Sequence, residues 1–371
     1  MRSLLLSLIL GVSLAQADGN LAPGVLLPRI TGEWTTLEKS PDMAALSTDQ
    51  RAVEITPGHF YLLHPAKAKG ETSVYHTTKP AEFDLNSKTV NISAMHLVCD
   101  LPVTAAQIIR KDGQWFTTGI KDNAKQMQSA KLTWEEIAPI APRTHDAKPI
   151  RVALFDDYGS FGKGVPRCTE LLSKVEGVAL TLVKPPLIRE GGLKDFDVVI
   201  FTGGSGGKQA GTLGLVGREQ VRRFIDAGGG YVGICAGNYL ACEGFSWGLK
   251  VLDAKTKSSK WARGVGDVKI EFTPKGREIL GMPEGVTDIR YANGPVFNPA
   301  GVDTIGDFEP LAFFRSELAK NESPVGAQVD SPAMVAGSYG EGRVLCSSPH
   351  PEQQAGMEHF VLKAVQWVAG K

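Results

Sequence analysis

Three things are missing from this chain of 371 residues: an excess of charge of one sign, metal-binding cysteine spacing, and an apolar run long enough to span a membrane. Forty basic and forty acidic residues cancel. No stretch interleaves lysine and arginine with aromatic residues, so no general pull toward nucleic acid is expected. Cysteine is scarce: Cys99, Cys168, Cys235, Cys242 and Cys346 are the five. They form no CxxC pair and no Cys/His cluster at zinc spacing, which speaks against a metal site. His59, His64, His76 and His96 fall close in sequence, but their spacing matches no metal motif, and histidines scattered on strand surfaces are the expected arrangement. The glycine loop Gly203-Gly204-Ser205-Gly206-Gly207 lacks the lysine and Ser/Thr of a nucleotide-binding loop, which leaves nucleotide binding the poorer reading. Neither a metal nor a cofactor is expected.

The apolar run from Leu4 to Leu14 follows Met1-Arg2 and closes with Ala15-Gln16-Ala17 before Asp18. A charged start, a short apolar run and a small-x-small site read as a secretory signal peptide over residues 1–17, too short to cross a bilayer. No cysteine follows to carry a lipid. The expectation is an exported protein, periplasmic or secreted, with no membrane anchor after cleavage. An oxidising compartment tolerates disulfides, but five cysteines leave at least one thiol unpaired within a monomer. Cys235 is the candidate.

What is present is ordinary globular material, 42% apolar and 22% charged, long enough for two domains. Residues 18–147 read as a β-rich accessory region. Residues 51–55, 59–63, 73–76 and 88–93 are short β-branched or aromatic runs between Pro-Gly, Lys-Gly and Asn-Ser breaks, and 114–118 completes a hairpin after Lys111-Asp112-Gly113. Asn91-Ile92-Ser93 matches a glycosylation acceptor, meaningful only in a eukaryotic source. The polar, proline-containing stretch 140–149 fits a linker.

Beyond it, from 148 to 371, strands and helices alternate. Residues 150–155, 178–183, 197–201 and 231–234 are near-continuous apolar strands, with helices expected over 165–175 and 218–227. That alternation predicts a parallel sheet covered on both faces, with ligands bound past the carboxyl ends of its strands. Strands over 248–252, 267–272, 311–314 and 334–336 suggest an antiparallel extension, and 353–368 a closing helix with Phe360, Val361, Ala364, Val365 and Val368 toward the core.

The chemistry is expected at Gly233-Ile234-Cys235-Ala236-Gly237. A Gly-x-Cys-x-Gly turn between a strand and a helix is a nucleophile elbow carrying sulfur. Its glycines allow a strained turn with neighbouring chain pressed close. A buried structural cysteine is the bland alternative. Far downstream, Ser348-Pro349-His350-Pro351-Glu352 supplies a base, His350, and a carboxylate, Glu352, to orient it. At the strand ends lie Asp156-Asp157 and the loop Gly203-Gly204. The backbone N–H groups of that loop, with that of Ala236, would hold an oxyanion. The two aspartates read equally well as surface carboxylates. Arg290 would pair with a substrate carboxylate or with an acidic neighbour.

Together these motifs resemble the class I glutamine amidotransferase superfamily. More narrowly, Gly-Gly-Tyr-Val-Gly-Ile-Cys-Ala-Gly-Asn-Tyr-Leu-Ala, Tyr291-Ala292-Asn293-Gly294-Pro295-Val296-Phe297 and Ser348 to Glu352 look like the amidotransferase-like domain at the N-terminus of some biotin-protein ligases. The resemblance covers about residues 148–371. It implies a flavodoxin-like doubly wound α/β fold with an N-terminal β-rich accessory domain. It also implies a Cys235-His350-Glu352 triad acting on a small-molecule or peptide carboxamide, with Asn293 reaching back over the site. The family elbow commonly continues with Gln, whereas Asn238-Tyr239 follows here. The rival expectation is an amidotransferase-like binding module without turnover. Neither the substrate nor the oligomeric state is legible.

Overall fold

The computed structural model describes residues 24–38, 52–65, 71–78, 96–121, 126–137, 141–142 and 149–371. The expected leader 1–17, the strand 88–93 with its Asn91 acceptor and most of the linker lie outside the described residues.

Before Ile150 the regular elements among the described residues are all strands, nine in two antiparallel sheets. One sheet takes β1 (Leu26–Ile30), β2 (Thr35–Thr36), β7 (Thr104–Lys111), β8 (Gln114–Ile120) and β9 (Gln128–Glu136). Its order is β1-β9-β8-β7, with β2 also on β9. The other runs β3 (Ala52–Thr56), β4 (His59–Pro65), β5 (Thr72–Thr77), β6 (His96–Leu101) in sequence order. The hairpin expected at Asp112-Gly113 joins β7 to β8, with both turn residues at positive φ. One expectation fails here. His76 is fully buried, not on a strand surface, because it packs beside Tyr61 in the core of this region with Nε2 3.0 Å from His59 Nδ1.

From Ile150 the chain builds a nine-stranded sheet. Its first half is parallel, in the order β11 (Val178–Val183), β10 (Ile150–Phe155), β12 (Val198–Phe201), β13 (Gly230–Ile234), β20 (Gly342–Ser347). The second half is antiparallel and continues from β20 through β19 (Pro332–Tyr339), β18 (Glu309–Phe314), β15 (Val265–Phe272) and β16 (Val286–Ala292). β10, apart from Arg151, and β12 and β13 read as near-continuous apolar runs because both faces are covered. One face packs α1 (Gly164–Leu172) and α6 (Phe360–Val368), the other α3 (Gly206–Asp226), and every residue of β12 and β13 is buried. α5 (Pro274–Leu280) packs on the same face as α1 and α6, β14 (Ala254–Thr256) and β17 (Phe297–Pro299) pair as a separate two-stranded sheet, and the whole is a mixed α/β fold with several sheets.

Three sequence assignments shift. Residues 248–252 are not a strand: Leu249 and Val251 donate their N–H groups to Leu240 O and Ala241 O, capping the short α4 (Ala236–Ala241) instead of pairing in a sheet. The helix expected over 218–227 begins earlier, inside the glycine loop at Gly206, and breaks at Gly214, whose φ of 66° is non-helical. The break lets another backbone in, since a Cβ at Gly214 would lie 2.6 Å from Leu97 O of β6. The C-terminal helix is shorter than 353–368, beginning at Phe360, but its five expected core residues are all buried.

The N-terminal strands meet the α/β part along α3. Val216 packs into the same cluster as Val25, Tyr61 and Val98, and Arg189, in α2 (Pro185–Arg189), pairs with Asp100 at 2.6 Å. Arg223 donates to Ile137 O at 2.8 Å.

Candidate active site

β13 ends at Cys235, and the chain turns at once into α4. Cys235 has φ 53° and ψ −98°, a conformation that a residue with a side chain adopts only when the surroundings impose it. Its N–H donates to Ser347 O at 2.9 Å, which ties the elbow to the neighbouring strand β20. The flanking glycines are needed for space. A Cβ at Gly237 would stand 2.2 Å from Phe201 O, and one at Gly233 would stand 2.8 Å from Asn238 Oδ1. Tyr231 closes the turn from below, donating its hydroxyl to Gly237 O at 2.7 Å.

Because β20 runs parallel beside β13, with Ile234 opposite Ser347, the segment after β20 emerges next to the cysteine. That segment is Ser348-Pro349-His350. The His350 N–H donates to Arg290 O at 2.8 Å, and the Arg290 N–H to Gln354 Oε1 at 3.0 Å, so the histidine turn is stitched to β16. His350 Nδ1 lies 2.8 Å from Glu352 Oε1, and Gln353 Nε2 donates to the same carboxylate oxygen at 2.9 Å. His350 is 5% exposed and Glu352 1%. Burial opposes charge on the imidazole, but the pull of the Cys235 sulfur and of the Glu352 carboxylate outweighs it and raises the His350 pKa to about 10. With Nδ1 engaged by Glu352, Nε2 is the remaining ring nitrogen, and it is buried without an aligned hydrogen-bond partner. Cys235 meanwhile donates its S–H to Ala292 O at 3.3 Å.

Gly203 shows how closely the two meet. A methyl group added there would lie 2.8 Å from His350 Cε1 and 3.8 Å from Cys235 Cβ. Gly203, Gly204, Cys235 and His350 share one cavity of about 700 Å³, with Phe161, Gly162, Lys163, Arg167, Arg290, Ala292 and Gln353 as the rest of its lining. Ala236, the first residue of α4, is buried and follows Cys235 directly in the chain.

Two expected ligand-facing residues are elsewhere. Asp156 is held by Lys184, whose ammonium sits 3.1 Å from its carboxylate, and lines the adjoining cavity with Leu182 and Thr169, on the other side of Phe161 and Gly162, which line both. Asn293 spends its side chain on the backbone: Oδ1 accepts from Gly264 N at 2.7 Å, and its own carbonyl accepts from Tyr239 Oη at 3.0 Å. It adopts φ 58° and holds the β16 end in place, which sets Ala292 O against the sulfur. Sequence reasoning missed Phe161, Lys163, Arg167 and Gln353. No motif marks them, since they come from the loop after β10, from α1 and from the turn after His350. All five cysteines are free thiols. Burial pushes Cys99 up to about 12 and Cys168, Cys242 and Cys346 upward as well.

Residues 150–260 match the family model described as biotin-protein ligase, N terminal, which belongs to the class I glutamine amidotransferase-like superfamily. The matched segment contains the elbow and the Gly203-Gly204 loop and stops before His350. No curated protein matches the chain. Among solved structures, a cytoplasmic protein from Salmonella typhimurium LT2 is similar at 12% identity over 59% of this chain and 99% of its own, with a TM-score of 0.41. A protein described as thua-like from Bacteroides uniformis shares 16% identity over 60% of this chain and 92% of its own, TM-score 0.39. A β-galactosidase from Bacillus circulans sp. alkalophilus shares 16% over 60% and 31%, TM-score 0.35.

Proposed function

We propose that this protein is a cysteine-nucleophile hydrolase or amidotransferase-like enzyme acting on a carboxamide or related C–N bond through Cys235, His350 and Glu352. The single observation that carries the reading is the juxtaposition at the β13 and β20 carboxyl ends. There a cysteine at positive φ and a carboxylate-bound histidine open onto the same cavity. In the proposed step the Cys235 thiolate adds to the carbonyl carbon. The negative charge that forms on oxygen is held by backbone N–H groups of Ala236 and the Gly203-Gly204 loop, each key donor contributing about 3 to 4 kcal/mol. The His350 imidazolium gives its proton to the departing amine as the C–N bond breaks. The resulting thioester is hydrolysed by a water whose proton returns to His350, with Glu352 fixing the ring orientation throughout.

The same reading takes residues 148–371 as one flavodoxin-like doubly wound domain with an antiparallel extension, and residues 18–147 as an accessory β-rich domain. The strand order β11-β10-β12-β13-β20 supports the first part. Export after cleavage near Asp18 completes the proposal, and N-terminal sequencing of the protein recovered outside the cytosol checks it.

The experiment that tests the activity is incubation of the folded protein with a chloroketone built on a carboxamide side chain, followed by peptide mass mapping. An adduct on Cys235 that is lost in His350→Ala supports turnover chemistry. A folded protein that binds the amide parent compound without forming an adduct is a binding module instead.

A further inference from the structure

The charges around the Cys235 cavity are all of one sign. Among the described residues Lys163, Arg167 and Arg290 line it, and no aspartate or glutamate does. Arg167 is already engaged, with Nε on Glu352 O at 3.2 Å and its guanidinium paired with Glu170. The Glu352 side chain lies behind His350 with 0% exposure. Lys163 and Arg290 are different: among the described residues neither side chain makes an ion pair or hydrogen bond. The sequence left open whether Arg290 meets an acidic neighbour: Asp267 stands opposite it on β15, but no ion pair or hydrogen bond joins the two side chains. Lys163 is exposed and Arg290 half-buried, so the donors of both stay open to a ligand that enters the cavity, and a carboxylate could complete the guanidinium fork. In a cleft with protein walls such a pair also concentrates anions.

We infer that the molecule processed at this site is a small carboxylic acid derivative. Its acidic group rests on Arg290 and Lys163 while the carbonyl to be attacked lies over Cys235. The inference rests on the reading of Cys235 as nucleophile and adds the charge of the substrate. The cavity volume suits an organic molecule rather than a bare inorganic anion, and Phe161 offers an aromatic edge beside the cations. Arg290 suits a carboxylate because its planar fork makes two parallel hydrogen bonds, whereas Lys163 contributes as a mobile point charge.

The test uses two alkylating reagents of nearly equal size, iodoacetate and iodoacetamide, on the full-length folded protein at neutral pH. In both cases the Cys235 thiolate attacks the methylene carbon, an S–C bond forms, the C–I bond breaks and iodide leaves. The quantity read is the rate ratio of the anionic to the neutral reagent at Cys235, by peptide mass mapping, relative to the same ratio for glutathione. His350 imidazolium alone would favour the anion, so the decisive measure is the drop in that ratio when Arg290 and Lys163 are removed. The expectation is a fall of about tenfold, roughly 1.4 kcal/mol, in the Arg290→Gln, Lys163→Gln double variant. Arg290→Lys should lose only part of it, and high salt should shrink the wild-type ratio. Thermal unfolding of the variants checks that they are folded, and Arg290→Lys, which keeps the charge, keeps the inference testable if the double variant is not. A wild-type ratio that neither the substitutions nor salt changes overturns the inference while leaving Cys235 reactive. Inertness of native Cys235 to both reagents, with normal labelling after denaturation, overturns the nucleophile reading and the inference with it.

Discussion

Two buried histidines, one in each part of the molecule, show what separates packing from chemistry. His76 in β5 is 0% exposed and His350 after β20 is 5% exposed. His76 shares a 3.0 Å contact with another imidazole, His59, and packs tilted against the Tyr61 ring. His350 instead faces a carboxylate on one nitrogen and a cysteine cavity on the other, so a full charge on it is stabilised. Burial by itself therefore says nothing about function. The partner on the far nitrogen decides whether a buried histidine can carry and release a proton.

The sharpest way to break this comparison is at the nucleophile. Cys235→Ser is expected to abolish electrophile labelling of the native protein altogether. Cys168, Cys242 and Cys346 should not take over, because burial keeps them as thiols. Peptide mapping that finds one of them labelled first would end the enzymatic reading. Next comes the histidine pair itself. His350→Ala should slow labelling by the chloroketone about 10²- to 10⁴-fold, the usual weight of a positioned acid or base. His76→Ala should lower the melting temperature and leave the labelling rate alone. Equal loss of labelling in both variants would show that the two histidines differ only in location.

The pH dependence is the third test. His350 has its pKa raised from 6.5 to about 10, so its charged interactions stabilise the fold fully below pH 6.5 and are lost as pH rises toward 10. The stability gap between wild type and His350→Ala should therefore narrow by a few kcal/mol across that window, as read by denaturant unfolding at each pH. A gap that widens with pH would reverse the assignment. The smallest effects concern glycine. Gly237→Ala should cost about 1–3 kcal/mol, because its methyl would meet Phe201 O in a core that cannot yield. Gly58→Ala in the N-terminal part has open space and should cost only the strain of its φ of 80°, about 1 kcal/mol. Denaturation midpoints of the two variants measure the difference.

Much of this was legible from residue order alone. The apolar runs at 150–155, 197–201 and 231–234 form strands because period and composition act within a few residues, and the turn at Gly233-Ile234-Cys235-Ala236-Gly237 is local for the same reason. The buried face of α6 follows from helical spacing. Residues 248–252 misled because an apolar run looks alike whether it pairs in a sheet or caps a helix. His76 misled because strand alternation does not say which face a second sheet will cover. What tertiary structure decided was which loops meet. Cys235 and His350 come together only because β20 is inserted in parallel beside β13 rather than at the sheet edge. Asp156 is drawn off by Lys184, Asn293 is consumed by the Gly264 backbone, and Lys163 joins Arg290 over one cavity, although sequence places each far from its partner. The physical reason is range. Backbone hydrogen bonding and side-chain alternation are written into neighbouring residues, whereas strand order depends on the burial of the whole chain, and the chemistry sits where that order brings distant loops to one sheet end.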